Sequence, residues 1–448
     1  MKKTIAILLV AIMAVGSAFA ALTGSAQVGF GANFDDGTYG FIDNSNSVDI
    51  NFELANMSGE AVGEGDIYAS IKGSLVLEVF TGEDGSNPTN PGVNGANGFE
   101  KPDTWNNIYF GLGASIDEAK IAGQNWYVSL LGASDAPDYA KSAIDTYDKA
   151  VKKYDVVTDK DGATGNASLG IGWQGVKKGN GVEVGIYDYV IGGAFYGDWK
   201  KDTIDVIGYV ATPNYDFNGL TLQVAAAGAK GNGSGSIDGG LSAKVGFAND
   251  TISTSVATDM VLAIPTVDTK DVTFDADVAA NFTYDFLTVD AYYGTNPKTG
   301  KEDTDKTENL LSAQVVTDLN SFDVPVKVTV SGKDLINKQD LDLSVEFKVA
   351  SLTLTPSVGY VIATEMFNAG LKAQYDHEYF TAKAETSVET GFDKPSTTLK
   401  ASASIENSTL IPGATLKLEW KDAKNLLNTQ DDVASNYGKV IASVKVEF

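Results

Sequence analysis

Residues 340–349 read DLDLSVEFKV, and every second position in this stretch is apolar. Such strict alternation is typical of a β-strand, because successive side chains of a strand point to opposite faces of the sheet. One face of this strand is therefore apolar and the other is polar and mostly charged. The apolar positions are Leu341, Leu343, Val345, Phe347 and Val349, and the polar positions are Asp340, Asp342, Ser344, Glu346 and Lys348.

The same alternation recurs along the whole chain, for example at 48–54, 272–282, 416–421 and 440–448. Two kinds of protein show this pattern. In a soluble sandwich the apolar face packs inward and the polar face meets water. In a membrane barrel the arrangement is inverted, with apolar side chains against lipid and polar side chains around a wet lumen.

Three features favour the membrane barrel. The strands are about 10 residues long, which suits a tilted bilayer crossing better than a soluble strand. Short and long connections alternate, as expected for periplasmic turns and extracellular loops. The chain ends on a strand whose last residue is the aromatic Phe448. The predicted tight turns are Asn249-Asp250, Tyr284-Asp285 and Asp376-His377-Glu378, and the predicted long loops are 81–104, 132–164 and 295–307.

The predicted fold is accordingly all-β, a transmembrane antiparallel β-barrel of about 16–20 strands with short periplasmic turns and long extracellular loops. One exception is the stretch 137–154, whose apolar residues follow a helical period. This predicts one amphipathic helix inside a long connection. The helix either caps the loop outside the barrel or folds into the lumen as a constriction.

The N-terminus predicts the compartment. Residues 1–20 combine two lysines, a short apolar run and an Ala-Phe-Ala site, which is typical of a cleaved secretory signal peptide. We therefore expect a mature barrel over 21–448 in the outer membrane. An alternative division is an N-terminal region over 21–200 followed by a C-terminal barrel over 201–448.

Composition excludes several classes of function. The chain has no cysteine, one histidine, and 33 basic residues, all of them lysine, against 59 acidic residues, for a net charge of −26. Disulfide scaffolds and cysteine-based metal sites are excluded, and the acidic balance argues against nucleic acid as a partner. The single histidine, His377, lies in a predicted turn, so no catalytic or metal-binding group is indicated. We expect no enzymatic activity and no cofactor.

The polar strand faces would line the lumen. An acidic lumen concentrates cations and repels anions, so a weak cation preference is expected. If most of the acid lies in the external loops instead, the pore is nearly unselective. The candidate lumen-facing residues are Asp49, Asn51, Glu53, Asp275, Asp277, Asp340, Asp342, Glu346 and Lys348.

Several aromatic residues lie near predicted strand ends, where a membrane barrel places its interfacial girdles. Ordinary packing in a β-core explains them equally well. These residues are Trp105, Tyr109, Trp126, Tyr127, Trp173, Tyr196 and Trp199.

The order of several short motifs resembles the spirochaete (treponemal) major outer sheath proteins, the Msp/Tpr family. The motifs are 22–31 (LTGSAQVGFG), 65–72 (GDIYASIK), 165–173 (GNASLGIGW), 191–195 (IGGAF) and 209–213 (YVATP). The resemblance covers the first half of the chain by motif and the second half by strand pattern. It implies a porin-like outer-membrane protein that is also a major surface antigen and an adhesin for host matrix proteins. The absence of arginine departs from the family.

The expected partners follow from the barrel. They are the lipids of the outer membrane, the barrel-assembly machinery through Phe448, further copies of the chain in a homo-oligomer such as a trimer, and, by the resemblance, host matrix proteins. The predicted function is passive diffusion of small hydrophilic solutes. The alternative is a surface adhesin that binds host extracellular matrix and forms no channel.

Overall fold

The computed structural model shows a chain folded almost wholly into strands. It describes residues 21–35, 37–41, 47–55, 63–81, 108–131, 139–140, 180–198, 203–230, 236–265, 272–295, 309–391, 397–427 and 436–447. The predicted signal peptide 1–20, most of the predicted loops 81–104 and 132–164, and Phe448 lie outside these residues. Among the predicted helix residues 137–154, only 139–140 are described, and they form no regular structure.

Twenty-four strand segments follow one another along the chain. They are β1 (Ala21–Asn33), β2 (Thr38–Phe41), β3 (Ser47–Ala55), β4 (Tyr68–Thr81), β5 (Ile108–Gly123), β6 (Trp126–Leu131), β7 (Asn180–Ile186), β8 (Tyr189–Asp198), β9 (Thr203–Ala211), β10 (Tyr215–Phe217), β11 (Leu220–Lys230), β12 (Ser236–Ala248), β13 (Ile252–Pro265), β14 (Thr273–Tyr284), β15 (Leu287–Gly294), β16 (Leu310–Asp318), β17 (Val326–Lys333), β18 (Asp340–Val349), β19 (Leu352–Val361), β20 (Met366–Asp376), β21 (Thr381–Gly391), β22 (Thr398–Asn407), β23 (Ala414–Ala423) and β24 (Lys439–Glu447). Two short 3-10 helices, Leu319–Phe322 and Ile362–Thr364, lie in connections.

The sheet closes on itself, which confirms the predicted antiparallel barrel. Consecutive strands pair except where β2 and β3 share β1 and where β9 and β10 share β11. Strand β1 pairs with β24 over nine residues from Ser25↔Glu447 to Asn33↔Lys439. At this seam the Asp35 carboxylate accepts hydrogen bonds from the backbone N–H groups of Tyr437 and Gly438. Closure removes every sheet edge, so no backbone group of an edge strand faces the hydrocarbon.

The barrel wall has 22 strand positions, here called staves, which is more than the 16–20 strands predicted. Segments β2 and β3 pair with different parts of β1, and β9 and β10 pair with different parts of β11, so each of these pairs forms one stave. The prediction was low because the β7–β9 region offers weak signals. The seven residues of β7 include two glycines and the ten of β8 include three, and the turn between β7 and β8 is Tyr187-Asp188, with neither glycine nor proline.

The connections at the two ends of the barrel differ in length. The end where the chain enters β1 and leaves β24, here called the turn end, carries two-residue links such as 124–125, 187–188, 218–219, 285–286 and 350–351. The opposite end, the loop end, carries the spans 82–107, 132–179, 295–309 and 424–438. The predicted tight turns all lie at the turn end. This asymmetry is that of outer-membrane barrels.

The outer face of the barrel is apolar. Val256, Val330, Leu343 and Val358 lie near the middle of their strands and are 40–51% exposed. Aromatic residues mark both borders of this apolar band. The turn-end girdle contains Trp126, Tyr189, Phe217, Phe247, Tyr284 and Tyr375, and the loop-end girdle contains Phe30, Tyr39, Phe195, Phe274 and Phe367.

The distance between the girdles fits a bilayer. Phe274 and Tyr284 stand near opposite ends of the same strand, β14. Ten residues of strand span about 33 Å, and a tilt of about 40° reduces this to a height of about 25 Å, the usual apolar band of such barrels. Of the predicted girdle residues, Trp126 occupies this position. Tyr127 does not, because its side chain is on the inner face. The side chains of the remaining five lie outside the described residues.

Candidate functional site: the inner face of the barrel

Strand register assigns all nine predicted lumen residues to one face of the sheet, the face opposite to the apolar band. Asp49, Asn51 and Glu53 of β3 stand opposite Ser25, Thr23 and Ala21 of β1. Asp275 and Asp277 stand opposite Val261 and Asp259. Asp275 is placed by its backbone alone. In β18 the residues Asp340, Asp342, Glu346 and Lys348 stand opposite Val361, Gly359, Lys327 and Thr353.

The part of the inner wall formed by β17 to β24 carries a ladder of cross-strand and same-strand ion pairs. Lys333 lies 3.1 Å from Asp342, Lys372 lies 3.1 Å from Glu385, and Lys400 lies 3.2 Å from Glu389. Glu419 accepts from Lys417 at 2.6 Å and from Lys421 at 3.0 Å. None of these lysines is among the lumen-facing residues predicted from the sequence, where Lys348 is the one lysine. Their signal is the spacing of opposite charges at every second position, as in Lys417, Glu419 and Lys421.

A second polar network lies on β5 to β9. The Glu183 carboxylate accepts hydrogen bonds from the hydroxyl groups of Tyr127 and Tyr209, both at 2.6 Å. The ammonium of Lys120 lies 4.7 Å from the centre of the Tyr127 ring. Buried hydroxyl groups need such partners. Tyr127, predicted as a girdle residue, therefore belongs to the lumen wall.

Glycine on the neighbouring strand makes room for these tyrosine rings. A Cβ built on Gly192 would lie 2.2 Å from Cζ of Tyr209, and one on Gly185 would lie 2.0 Å from Cε1 of Tyr127. Contacts this short are forbidden between carbon atoms, so an alanine would push each ring from its place.

Replacing Gly192 with alanine is accordingly expected to lower the free energy of unfolding by about 1–3 kcal/mol, the usual cost of overpacking. Gly239→Ala is the matched control, since nothing lies within 4 Å of its Cβ. That variant should stay within about 0.5 kcal/mol of the parent. Urea unfolding in detergent, followed by the heat-modifiable gel shift, measures both. Equal stability of the two variants would contradict the packing of Tyr209 on Gly192.

The wall formed by β12 to β15 is acidic. Its inner face carries Asp238, Asp259, Asp277 and Asp290, which are 0–8% exposed. Asp259 and Asp277 are direct neighbours across the β13–β14 pair. Among the described inner-face residues of these four strands, Lys244 is the one cation. Because these carboxylates lie on the inner face and are buried, other atoms of the chain must separate them from the water of the lumen.

Part of that cover is the connection between β6 and β7. The backbone N–H of Ala140 donates to Oδ2 of Asp259 at 2.6 Å, and the N–H of Tyr139 donates to the same oxygen at 3.2 Å. Both Ala140 and Asp259 are completely buried. Burial raises the pKa of the Tyr139 hydroxyl, and the charge of Asp259 adds to this shift.

This contact places residues 139–140 inside the barrel. The connection leaves β6, whereas Asp259 lies on β13, six staves away around the wall. Asp259 also faces Ser242 and Asp277 on the inner side of the sheet. The sequence left two positions open for this segment, a cap outside the barrel or a place inside the lumen. The described residues 139–140 lie inside the lumen.

A polar cavity of about 450 Å³ lies beside Tyr139. Its polar lining consists of Tyr139, Gln223, Lys244, Ser255, Asn281 and Asp290. The side-chain amide of Asn281 donates to Oδ1 of Asp290 at 2.7 Å. Water and small polar solutes are the natural occupants of such a surface.

Within the described residues there is no helix long and apolar enough to span a bilayer. The described residues also contain no group of three or more histidine, cysteine or acidic side chains arranged to hold a metal ion.

No family model matches the chain, and no curated protein matches it. Among solved structures, the chain is similar to the P pilus usher PapC translocation pore (TM-score 0.37, 8% identity, covering 95% of this chain and 98% of that one). It is also similar to the siderophore receptor PirA from Acinetobacter baumannii (TM-score 0.43, 9% identity, covering 95% of this chain and 80% of that one). A third similar structure is a mutant of the Rh. blastica porin (TM-score 0.31, 13% identity, covering 96% of this chain and 99% of that one). Likeness at this level carries no argument about function.

The chain's own geometry gives the location. A closed antiparallel barrel with an apolar outer band, two aromatic girdles and a polar inner face is the architecture of outer-membrane proteins. The protein lies in the outer membrane, and bilayer lipid surrounds it.

Proposed function

We propose that this protein is an outer-membrane porin through which small hydrophilic solutes diffuse passively. The observation that supports this best is the inner face, where charged and amide side chains continue from the turn end to the loop end. A barrel of 22 staves encloses a wider lumen than the 16–18 staves of ordinary porins. Residues 139–140 lie against the inner face of this lumen, at Asp259.

The proposed pore is weakly cation-preferring. The β17–β24 wall is nearly neutral because its lysines pair with acids, whereas the β12–β15 wall presents one lysine and five acids, four of which are buried. Cations therefore accumulate next to the acidic wall and anions are repelled. The acidic wall faces the cavity beside Tyr139, where a passing ion comes closest to it.

Planar-bilayer recording tests this function. The folded protein, recognised by its heat-modifiable gel shift, should give ohmic channels whose reversal potential in a KCl gradient has the sign of cation preference. Folded protein that never conducts would refute the porin and favour the adhesin. A conducting pore with anion preference would refute the proposed selectivity alone.

The resemblance to the treponemal major outer sheath proteins supports further parts of the proposal. Under it the protein is also a surface antigen, and loop-end segments engage host matrix proteins. Assembly into a homo-oligomer and insertion through Phe448 belong to the same proposal. Binding of purified protein to immobilised matrix proteins, compared with a variant shortened in 82–107, tests the adhesive part.

A further inference from the structure

The cavity on the inner wall of β11 to β15 is lined by one cation and one carboxylate. Lys244 lies on β12 and Asp290 lies on β15. Lys244 is exposed, and among the described residues no acid lies within ion-pair distance of it. Asp290 accepts a hydrogen bond from the neutral amide of Asn281. The two charges are therefore available to a ligand, and they have opposite signs.

Small side chains lower the wall between these two charges. On β13 and β14 the inner-face residues at this level are Ala257, Ala279 and Ser255. Ala257 is the direct cross-strand partner of both Lys244 and Ala279. Longer side chains at these positions would fill the space between the lysine and the aspartate. The wall consequently has a depression here, called the trough below.

Neutral polar groups flank both charges of the trough. Gln223 stands opposite Lys244 across the β11–β12 pair, and Asn281 stands opposite Asp290 across the β14–β15 pair. Side-chain amides both donate and accept hydrogen bonds. They match the N–H and C=O groups of a peptide bond, which need partners when they leave water.

The distance between the two charged residues indicates the length of the ligand. Three strand spacings separate β12 from β15, which corresponds to about 14 Å between their backbones. The ammonium and carboxylate of a free amino acid belong to one residue and are too close together to reach both sides of the trough. An extended peptide of three residues spans roughly 10 Å, and the flexible lysine side chain covers the remaining distance.

We propose that the trough binds short zwitterionic peptides of two or three residues. The ligand carboxylate lies against Lys244 and the ligand ammonium lies against Asp290, while Gln223 and Asn281 hydrogen-bond to its peptide groups. This inference rests on the proposed porin function and deepens it, because it names a class of solute that the inner wall recognises.

Calorimetric titration of the folded protein in detergent with triglycine is the first test. The comparison probes are glycine and N-acetyl-triglycine amide, which has the same peptide backbone without either charge. We expect triglycine to bind about five-fold more tightly than the blocked peptide, or better, because one ion pair at about 4 Å in water changes an equilibrium by roughly that factor. Glycine should bind as weakly as the blocked peptide. Triglycine should also interrupt the single-channel current for longer than either comparison probe.

Substitutions at the two charges locate the binding site. Lys244→Gln and Asp290→Asn should each weaken triglycine binding about five-fold or more. The double variant Lys244→Asp and Asp290→Lys should restore much of the affinity, because the peptide then binds with its ends exchanged. Lys383→Gln is the matched control, since it removes a lysine from the inner face of β21, and it should bind triglycine like the parent.

The outcomes separate this inference from the porin function. If the folded parent never conducts, the porin function is wrong, whatever the protein binds. If the parent conducts while glycine, triglycine and the blocked peptide bind equally or not at all, the trough is not a site for zwitterionic peptides. Unchanged triglycine affinity in both Lys244→Gln and Asp290→Asn would also overturn the inference, because the peptide would then bind elsewhere.

Discussion

Replacing Leu343 with lysine is expected to lower the free energy of unfolding of the barrel by about 2–4 kcal/mol, the cost of a lysine on the lipid face near the bilayer midplane. Leu343 is 40% exposed on β18, and its partners in the two adjacent strands are Val330 and Val358. All three point outward at the middle of the apolar band. A charge there loses its hydration and finds no partner in hydrocarbon.

The next residue along the strand supplies the control. Ser344 stands between Thr329 and Ser357 on the inner face, two positions from Glu346. A lysine at 344 would reach the wet lumen, so Ser344→Lys should change stability by less than about 0.5 kcal/mol. Unfolding in urea from detergent or lipid vesicles measures both variants. If the two variants have the same free energy of unfolding, the apolar face does not lie in lipid, and the assignment of this fold to a membrane barrel is wrong.

The sequence was sufficient to predict this inside-outside arrangement because a strand has a period of two. In DLDLSVEFKV the alternation alone assigns Leu343 and Ser344 to opposite faces, and the tight turn at Asn249-Asp250 keeps the register of its hairpin. The structure confirms that turn, with Asn249 Oδ1 accepting from the N–H groups of Thr251 and Ile252 at 2.9 and 2.7 Å. Local chemistry was enough in both places.

Strand number and long-range contacts were not predictable in the same way. The hairpin at Tyr187-Asp188 uses two positive φ angles, 50° and 66°, the first at a tyrosine, which rarely adopts such an angle, and no glycine marks the turn in the sequence. Tyr127 was predicted as a girdle residue because it is an aromatic residue near a strand end. Its hydrogen-bond partner Glu183, which holds it on the inner face, is far away in sequence and so gave no local signal. Asp259 is one of 59 acids, and only the folded chain brings residues 139–140 to it.

Reversing the charge at Asp290 should reverse the ion preference of the proposed pore. Asp290 lines the cavity beside Tyr139 on the inner face of the barrel. A unit charge about 7 Å from a passing ion in water changes its energy by about 0.6 kcal/mol, a factor of roughly three in local ion concentration. Asp290→Lys alters the local charge by two units, and its effects on cations and anions are opposite. Screening by salt reduces the effect at physiological ionic strength.

We therefore expect the cation-to-anion permeability ratio of Asp290→Lys to fall by roughly three-fold or more at low salt, enough to invert a weak preference. The measurement is the reversal potential in a KCl gradient, repeated at rising ionic strength, where the difference from the parent should shrink. Asp250→Lys makes the same change in net charge at an exposed turn outside the lumen and should leave the ratio close to that of the parent. If the two variants shift the ratio equally, the selectivity comes from the net charge of the protein and not from the acidic wall, because only a charge inside the lumen acts on the ion at close range.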